Sequence, residues 1–177
     1  LLDLKWIPII FLLEYPFFGP DPMGYHAVNL LIHLLNAYLV FRLLSKLSIN
    51  FSVSLLAALF FGIHPLQVES VAYIAERKDM LYAVFFLASL LAYLNYFENK
   101  KRGPYFSSLL FFILSLLAKP AGVLLPLVLF ACDYLKKRKW DKNSFLEKLP
   151  FLAIAVFFGI LGIMNQQKDG RELCPLF

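Results

Sequence analysis

The chain has 177 residues, of which 60% are hydrophobic, 17% aromatic and 16% charged, and its formal net charge is +5. A soluble domain is usually closer to half apolar and a quarter charged. A transmembrane β-barrel has short segments of alternating polarity, whereas the apolar runs here are continuous. The composition therefore excludes an ordinary soluble domain and predicts an all-α, polytopic bundle of membrane helices.

Six apolar stretches follow an N-terminal segment that four prolines interrupt. Proline breaks helices, so we expect residues 1–23 to form a loop with short interfacial helices. The stretches predict about six spans within a multispanning region over residues 24–164, and residues 165–177 then begin an extracytosolic segment. Because the sequence has no initiator Met and no polar tails, we expect a fragment. The approximate bounds of the stretches are 24–44, 52–66, 80–97, 105–118, 121–135 and 149–164.

The positive charges alternate between successive connections. The connections after the first, third and fifth stretches, with their flanks, hold 11 of the 17 Lys and Arg residues but four of the 12 Asp and Glu residues. Because cytosolic loops are enriched in Lys and Arg, we expect this face to be cytosolic. The extracytosolic face then comprises residues 1–23, 67–79, 119–120 and 165–177.

Lys119 and Pro120 interrupt a long apolar region. A single helix over residues 105–135 would be about 46 Å long, well beyond a hydrocarbon core of about 30 Å. Pro120 disfavours helical geometry at Lys119, so we predict two short helices that meet there, with their turn recessed in the bundle. A recessed cation is a candidate site for an anion. The competing interpretation is that Lys119 snorkels to water.

Four polar residues lie on one face of the first predicted span: His26, Asn29, His33 and Asn36, at spacings of three, four and three. For the deeper His33 and Asn36 we favour a seam of interhelical hydrogen bonds. For His26, near the outer mouth, a ligand contact is equally open. The two histidines are two turns apart, about 10.5 Å, so no metal site is predicted.

The connection at residues 67–79 carries a dense group of charged side chains. If it forms a helix on the membrane surface, Glu69 and Arg77 share one stripe. One interpretation is an interfacial helix whose Arg77 and Lys78 snorkel. The other is a rim on which Arg77 or Lys78 neutralises a phosphate, while Glu69 or Asp79 positions that phosphate or a substrate hydroxyl. Chemistry alone leaves both open.

Three blocks of the sequence, in this order, suggest a family: GYHAVNLLIH at 24–33; HPLQVESVAYI at 64–74 with RKD at 77–79; and AKP at 118–120 with LP at 125–126 and DY at 133–134. Together they resemble the membrane half of the transmembrane-and-TPR-containing O-mannosyltransferases and their bacterial relatives. The family consists of GT-C-type membrane glycosyltransferases. Such enzymes usually place an acidic catalytic residue in a first outer loop, and we expect most of that loop to lie upstream of this sequence.

The resemblance implies transfer of a sugar from a polyprenyl-phosphate carrier to an acceptor protein or glycan. The transfer takes place on the extracytosolic face of a bacterial inner membrane or the endoplasmic reticulum membrane. No cofactor is assigned, a divalent metal stays open, and no nucleic acid is expected. Together with the charged residues described above, the resemblance suggests that Arg77, Lys78 and Lys119 bind the donor phosphate. It suggests His26, His64 and Glu69 as substrate contacts, and Glu69 and Asp79 as catalytic candidates.

Two other functions use the same residues differently. A transporter or flippase of lipid-linked or anionic substrates would use the cations without chemistry, and a non-catalytic bundle would act as a membrane scaffold. Inverted repeats between the halves would favour a transporter, and we find none in the sequence. An acidic pair in an upstream outer loop and TPR repeats downstream would favour the enzyme.

Overall fold

A computed structural model describes residues 14–16, 18–65, 67, 71–73, 76–138 and 142–172. This part of the chain consists of helices and connections, with no β-strand. Each of the six predicted apolar stretches coincides with a helix, which confirms the all-α membrane architecture. In chain order the helices are α1 (Pro22–Lys46), α2 (Phe51–Ile63), α3 (Arg77–Asn99), α4 (Arg102–Ala118), a 3₁₀ segment (Pro120–Leu124), α5 (Leu125–Leu135), α6 (Lys142–Leu146) and α7 (Leu149–Glu172).

The helices fall into two length classes. Helices α1 and α3, with 25 and 23 residues, and residues 144–162 are long and apolar enough to cross a bilayer. Helices α2 and α4 have 13 and 17 residues, and the run from Pro120 to Leu135 is also short. A 13-residue helix rises only about 20 Å, less than the hydrocarbon core. The described part of the chain thus contains three full-length candidate spans and three shorter apolar helices.

Local sequence explains how α1 and α3 are bounded. The side chain of Asp21 accepts a hydrogen bond from the backbone N–H of Met23 at 3.0 Å, and Pro22 occupies the first turn. Both are preferred at helix starts. Helix α3 ends at Asn99 and is capped by Lys100, whose φ of 56° is left-handed and whose N–H donates to the Tyr96 carbonyl. The chain therefore reverses sharply, and α4 packs back along α3.

The predicted break at Lys119 is confirmed. Lys119 is extended, with φ −154° and ψ 132°, between α4 and the 3₁₀ segment. Gly122 allows that segment to approach α4 closely, because a Cβ there would lie 2.9 Å from Ser115 Oγ. The 3₁₀ segment also packs against α7, so the turn is held between two helices.

Two layers make up the bundle. Helices α3, α4, α5 and α7 enclose an apolar core, whereas α1 packs on α3 and α2 packs on α1. The buried side chains of α1 are Asn29, His33 and Asn36, so polar contacts hold α1 to its neighbours. The core residues are Leu90, Tyr93, Leu94, Phe112, Leu116, Leu125, Leu129, Cys132, Phe151 and Ala155.

The prediction of a surface helix over residues 67–79 is wrong for the second half of that range. Tyr73 is not helical, Glu76 lies in a 3₁₀ turn, and Arg77 is the first residue of α3. The span begins before the predicted residue 80, and two of the charged side chains in its first turn, Arg77 and Asp79, have polar partners, described below. Similarly, α7 continues to Glu172, past the predicted end near residue 164. The wider domain division stays a prediction, since 1–13 and 173–177 lie outside the described residues.

Candidate functional site

The connections place those predicted site residues that the structure describes at one end of the bundle, which we call the Arg77 end. Helices α1 and α3 begin there, and α2 and α4 end there. The opposite end, which we call the Arg138 end, carries an ion pair between Lys46 and Glu98, and Lys136 lies 3.6 Å from the same carboxylate. The structure thus gathers the residues of the predicted cytosolic connections at the Arg138 end, away from the candidate site.

Arg77 is fully buried at the centre of the Arg77 end. Its Nη1 donates to Glu14 Oε2 at 2.5 Å, its Nε to Asn29 Oδ1 at 2.8 Å, and its Nη2 to the Tyr25 carbonyl at 3.1 Å. A buried guanidinium is tolerated only with such partners. In this arrangement the guanidinium is not open to a phosphate from outside. These three contacts, which we call the Arg77 clamp, fasten Glu14 and the start of α1 to α3, and the predicted phosphate contact of Arg77 stays a prediction.

The polar face of α1 forms the predicted seam. His33 Nε2 donates to the Gly62 carbonyl of α2 at 2.9 Å, and Asn36 Nδ2 donates to the Met80 carbonyl of α3 at 3.0 Å. Carbonyl acceptors on two different helices explain why these side chains are buried in an apolar helix. The interpretation of His33 and Asn36 as interhelical contacts is confirmed.

A cavity of about 590 Å³ lies beside this seam. All three histidines of the chain line it, so the structure brings His26 together with His64, the two predicted substrate contacts. The His64 ring packs edge-on against Phe60. The cavity is mainly apolar with few polar groups, as ligand sites usually are. The other lining residues are Met23, Ala27, Leu30, Gly62, Ile63, Gln67, Val71 and Ala72.

Lys119 and Asp79 form an ion pair at the Arg77 end. Lys119 Nζ lies 2.5 Å from Asp79 Oδ2, and the two side chains are 42% and 27% exposed. The anion expected beside Lys119 is thus supplied in this structure by the protein itself. Asp79 Oδ1 is buried and has no hydrogen-bond partner in the part of the chain that the structure describes. The pair therefore combines a partly exposed cation with a buried carboxylate oxygen that has no partner among the described residues.

The remaining predicted residues stand apart. Lys78 is exposed on the first turn of α3 and makes no hydrogen bond or ion pair within the described ranges. Glu69 lies outside the described residues. Among those described, no three His, Cys, Asp or Glu side chains come close enough together to hold a metal ion.

Sequence reasoning missed a polar cluster at the Arg138 end. In the sequence, Asp133 is one of the four acids beside the basic connections and part of the DY pair at 133–134, and neither observation predicts that it is buried, yet it is 5% exposed. Its carboxylate pairs with buried Lys148, lies 3.4 Å from Arg138, and accepts hydrogen bonds from Tyr93 and Ser144. An acidic residue inside a predicted apolar stretch is costly without partners, and that signal was present at position 133.

Arg138 links this cluster to Glu147. Its Nη2 donates to Glu147 Oε2 at 2.7 Å. Burial lowers the pKa of Arg138, but the hydrogen bond to Glu147 and the neighbouring negative charges outweigh it, so the pKa lies above its ordinary value. The guanidinium therefore remains charged and neutralises the carboxylates around it.

Long apolar helices, a polar seam and a ligand-sized cavity at one end define an integral membrane protein with a candidate binding site. Among curated proteins, protein O-mannosyl-transferase Tmtc1 of Drosophila melanogaster is 30% identical over 74% of the chain and 16% of that protein. A protein O-mannosyl-transferase of Caenorhabditis elegans is 27% identical over 92% of the chain and 22% of that protein. Human TMTC4, also a protein O-mannosyl-transferase, is 36% identical over 51% of the chain and 14% of that protein.

The chain belongs to the transmembrane-and-TPR-containing family of protein O-mannosyl-transferases. It spans less than a quarter of the length of these relatives, 16% and 22% of the first two. No family model matches the chain, and no solved structure matches it.

Proposed function

We propose that the chain is part of the membrane region of a glycosyltransferase. The enzyme transfers a sugar from a polyprenyl-phosphate carrier to an acceptor, a protein hydroxyl, on the extracytosolic face. The observation that carries the proposal is the similarity to proteins named protein O-mannosyl-transferases, over up to 92% of the chain. The charge distribution supports an extracytosolic location for the Arg77 end, because this end lies opposite the strongly basic connections.

The Arg77 end provides groups suited to this transfer. Lys119, partly exposed beside Asp79, is placed to stabilise the negative charge on the carrier phosphate as it leaves. Exposed Lys78 is a second phosphate contact. The apolar cavity with His26 and His64 has room for a sugar and the first units of a polyprenyl chain.

The transfer itself requires one bond to form and one to break. The acceptor hydroxyl oxygen bonds to the anomeric carbon with inversion, and the bond from that carbon to the phosphate oxygen breaks, so that the electron pair leaves with the polyprenyl phosphate. A base accepts the hydroxyl proton. Among the described residues Asp79 is the candidate, because its side chain is 27% exposed beside Lys119 and its Oδ1 has no hydrogen-bond partner there. Glu69 is the other candidate.

We expect Lys119→Met in the full-length enzyme to weaken binding of a polyprenyl-phosphate analogue by about 1.5–3 kcal/mol, the range for hydrogen bonds to charged groups. The lower part of this range applies because the Lys119 side chain is 42% exposed.

Asp79→Asn should bind the analogue at least as well as the unchanged enzyme, since it removes a negative charge. Sugar transfer should fall about a hundredfold or more if Asp79 is the base. A binding titration and a transfer assay measure the two effects.

Lys137→Met is the matched control, because this exposed lysine lies at the Arg138 end. It should leave affinity unchanged. Unchanged affinity in Lys119→Met would contradict the phosphate site. Movement of the carrier across the membrane without any transferred sugar would instead favour the transporter.

The proposed face makes a separate prediction. In a variant without the native cysteines, Glu76→Cys should react with a membrane-impermeant thiol reagent on intact cells, because this position lies at the Arg77 end. Lys101→Cys should react only after the cells are permeabilised, which also controls for reactivity. The reverse pattern would place the Arg77 end in the cytosol and contradict the proposed orientation.

A further inference from the structure

A second cavity lies at the Arg138 end, away from the candidate transfer site. Its volume is about 530 Å³, and it lies between α3, α4, the end of α6 and the connection before α7. Neither the family resemblance nor the proposed function uses it. Its lining residues are Tyr96, Arg102, Tyr105, Phe106, Leu146 and Glu147.

The single carboxylate in the lining is already neutralised. Glu147 Oε2 accepts a hydrogen bond from Arg138 at 2.7 Å, and Oε1 accepts one from the Tyr96 hydroxyl at 2.9 Å. The Tyr105 hydroxyl donates to the Glu147 backbone carbonyl at 2.8 Å. These bonds fix both tyrosine rings and leave Glu147 paired, so the cavity has no uncompensated negative charge from its lining.

The positive charge of the lining is not compensated. Arg102 begins α4 with an exposed side chain and makes no hydrogen bond or ion pair within the described part of the chain. Lys100 and Lys101 precede it directly, both exposed. A guanidinium forms paired hydrogen bonds with phosphate oxygens. The cavity therefore has the charge of an anion site.

On helix α4, the positive charge of Arg102 is followed by a stripe of exposed apolar side chains. Phe106 lies one turn after Arg102 and is 64% exposed, and Leu110 lies one turn further and is 57% exposed. Each turn rises by roughly 6 Å, away from the basic connection and towards the middle of the bundle. Leu146, on the other side of the cavity, is 61% exposed. The surface thus offers a cation at the boundary and apolar side chains below it.

We propose that this cavity binds an anionic phospholipid. The headgroup phosphate lies on Arg102, the glycerol region packs against Tyr96 and Tyr105, and an acyl chain runs along Phe106 and Leu110. Basic pockets between membrane helices recognise anionic headgroups in this way. A soluble phosphate would use Arg102 but leave the apolar stripe without a partner, so the combination of both features favours a lipid.

The test is lipid binding to the purified full-length protein in detergent. Phosphatidylglycerol and phosphatidylcholine are titrated in parallel, and native mass spectrometry counts the bound lipids. We expect tighter binding of phosphatidylglycerol, and we expect Arg102→Gln to weaken it about tenfold, the effect of losing one charge-assisted contact. Arg42→Gln is the control: Arg42 is also exposed near the Arg138 end but does not line the cavity. It should change affinity less than about twofold, as expected for a screened surface charge.

Three results would overturn the proposal. Equal losses in the two variants would mean general attraction to the basic surface. Equal binding of the two lipids would remove the anionic selectivity. Displacement of phosphatidylglycerol by millimolar glycerol phosphate would mean a site for a soluble phosphate. Unchanged thermal unfolding of Arg102→Gln, expected for an exposed side chain, shows that a loss of binding is not a loss of fold.

Discussion

Replacing Arg77 by Met is expected to lower the free energy of unfolding by about 3–5 kcal/mol, the usual effect of removing one partner from a buried ion pair. Glu14, only 15% exposed, loses its cation, and Asn29 Oδ1 and the Tyr25 carbonyl each lose the hydrogen bond from Arg77. The measurement is equilibrium unfolding of the purified protein in mixed micelles of mild and denaturing detergent.

Lys78→Met is the matched control for this prediction. It removes the neighbouring cation, which is exposed and has no partner within the described residues, so we expect a change within about 0.5 kcal/mol. In the double variant with Glu14→Gln, part of the loss should be recovered, because the carboxylate no longer needs a cation. Equal losses of stability in Arg77→Met and Lys78→Met would contradict a stabilising role for the buried contacts of Arg77.

The Arg77 clamp also bears on function. Tyr25, whose carbonyl Arg77 binds, directly precedes His26, which lines the larger cavity. A conservative Arg77→Lys keeps the charge but cannot make the three separate contacts of the guanidinium. Donor affinity should therefore fall in Arg77→Lys through a loosened α1, and unchanged affinity would limit Arg77 to a role in stability.

The second large effect is expected at the opposite end. Asp133→Asn should destabilise the protein by about 3–5 kcal/mol, because it leaves Lys148, whose side chain is 2% exposed, without its carboxylate. Tyr93, Ser144 and Arg138 also lose the acceptor charge. The same unfolding measurement detects the change.

Glu98→Gln provides the comparison, since it makes the same carboxylate-to-amide change at the same end. Glu98 also pairs with a lysine, Lys46, but its side chain is 40% exposed. Exposed ion pairs contribute between about 0 and 1 kcal/mol, so Glu98→Gln should change the free energy of unfolding very little. If it costs as much as Asp133→Asn, burial is not what makes the Asp133 cluster stabilising. Combining Asp133→Asn with Lys148→Met should recover part of the loss.

Local patterns in the sequence determined the class of the protein and most of its helices. Continuous apolar runs predicted the spans, because lipid permits only backbone that satisfies its own hydrogen bonds. Pro120 predicted the break at Lys119, because proline restricts the residue before it. The spacing of His33 and Asn36 predicted a seam, because residues three and four apart share a helix face. Each of these inferences needs only neighbouring residues.

The tertiary structure alone decided which charges are buried and what they pair with. Arg77 meets Glu14 across 63 residues and Lys119 meets Asp79 across 40, and neither pairing follows from spacing along the chain. The role of a charge depends on its burial and on its nearest opposite charge, because both set the cost of removing it from water. The sequence therefore identified Arg77 and Lys119 as candidates for a site. Only the fold separated the buried clamp of Arg77 from the accessible ion pair of Lys119, and only the fold brought Asp133 and Lys148 together.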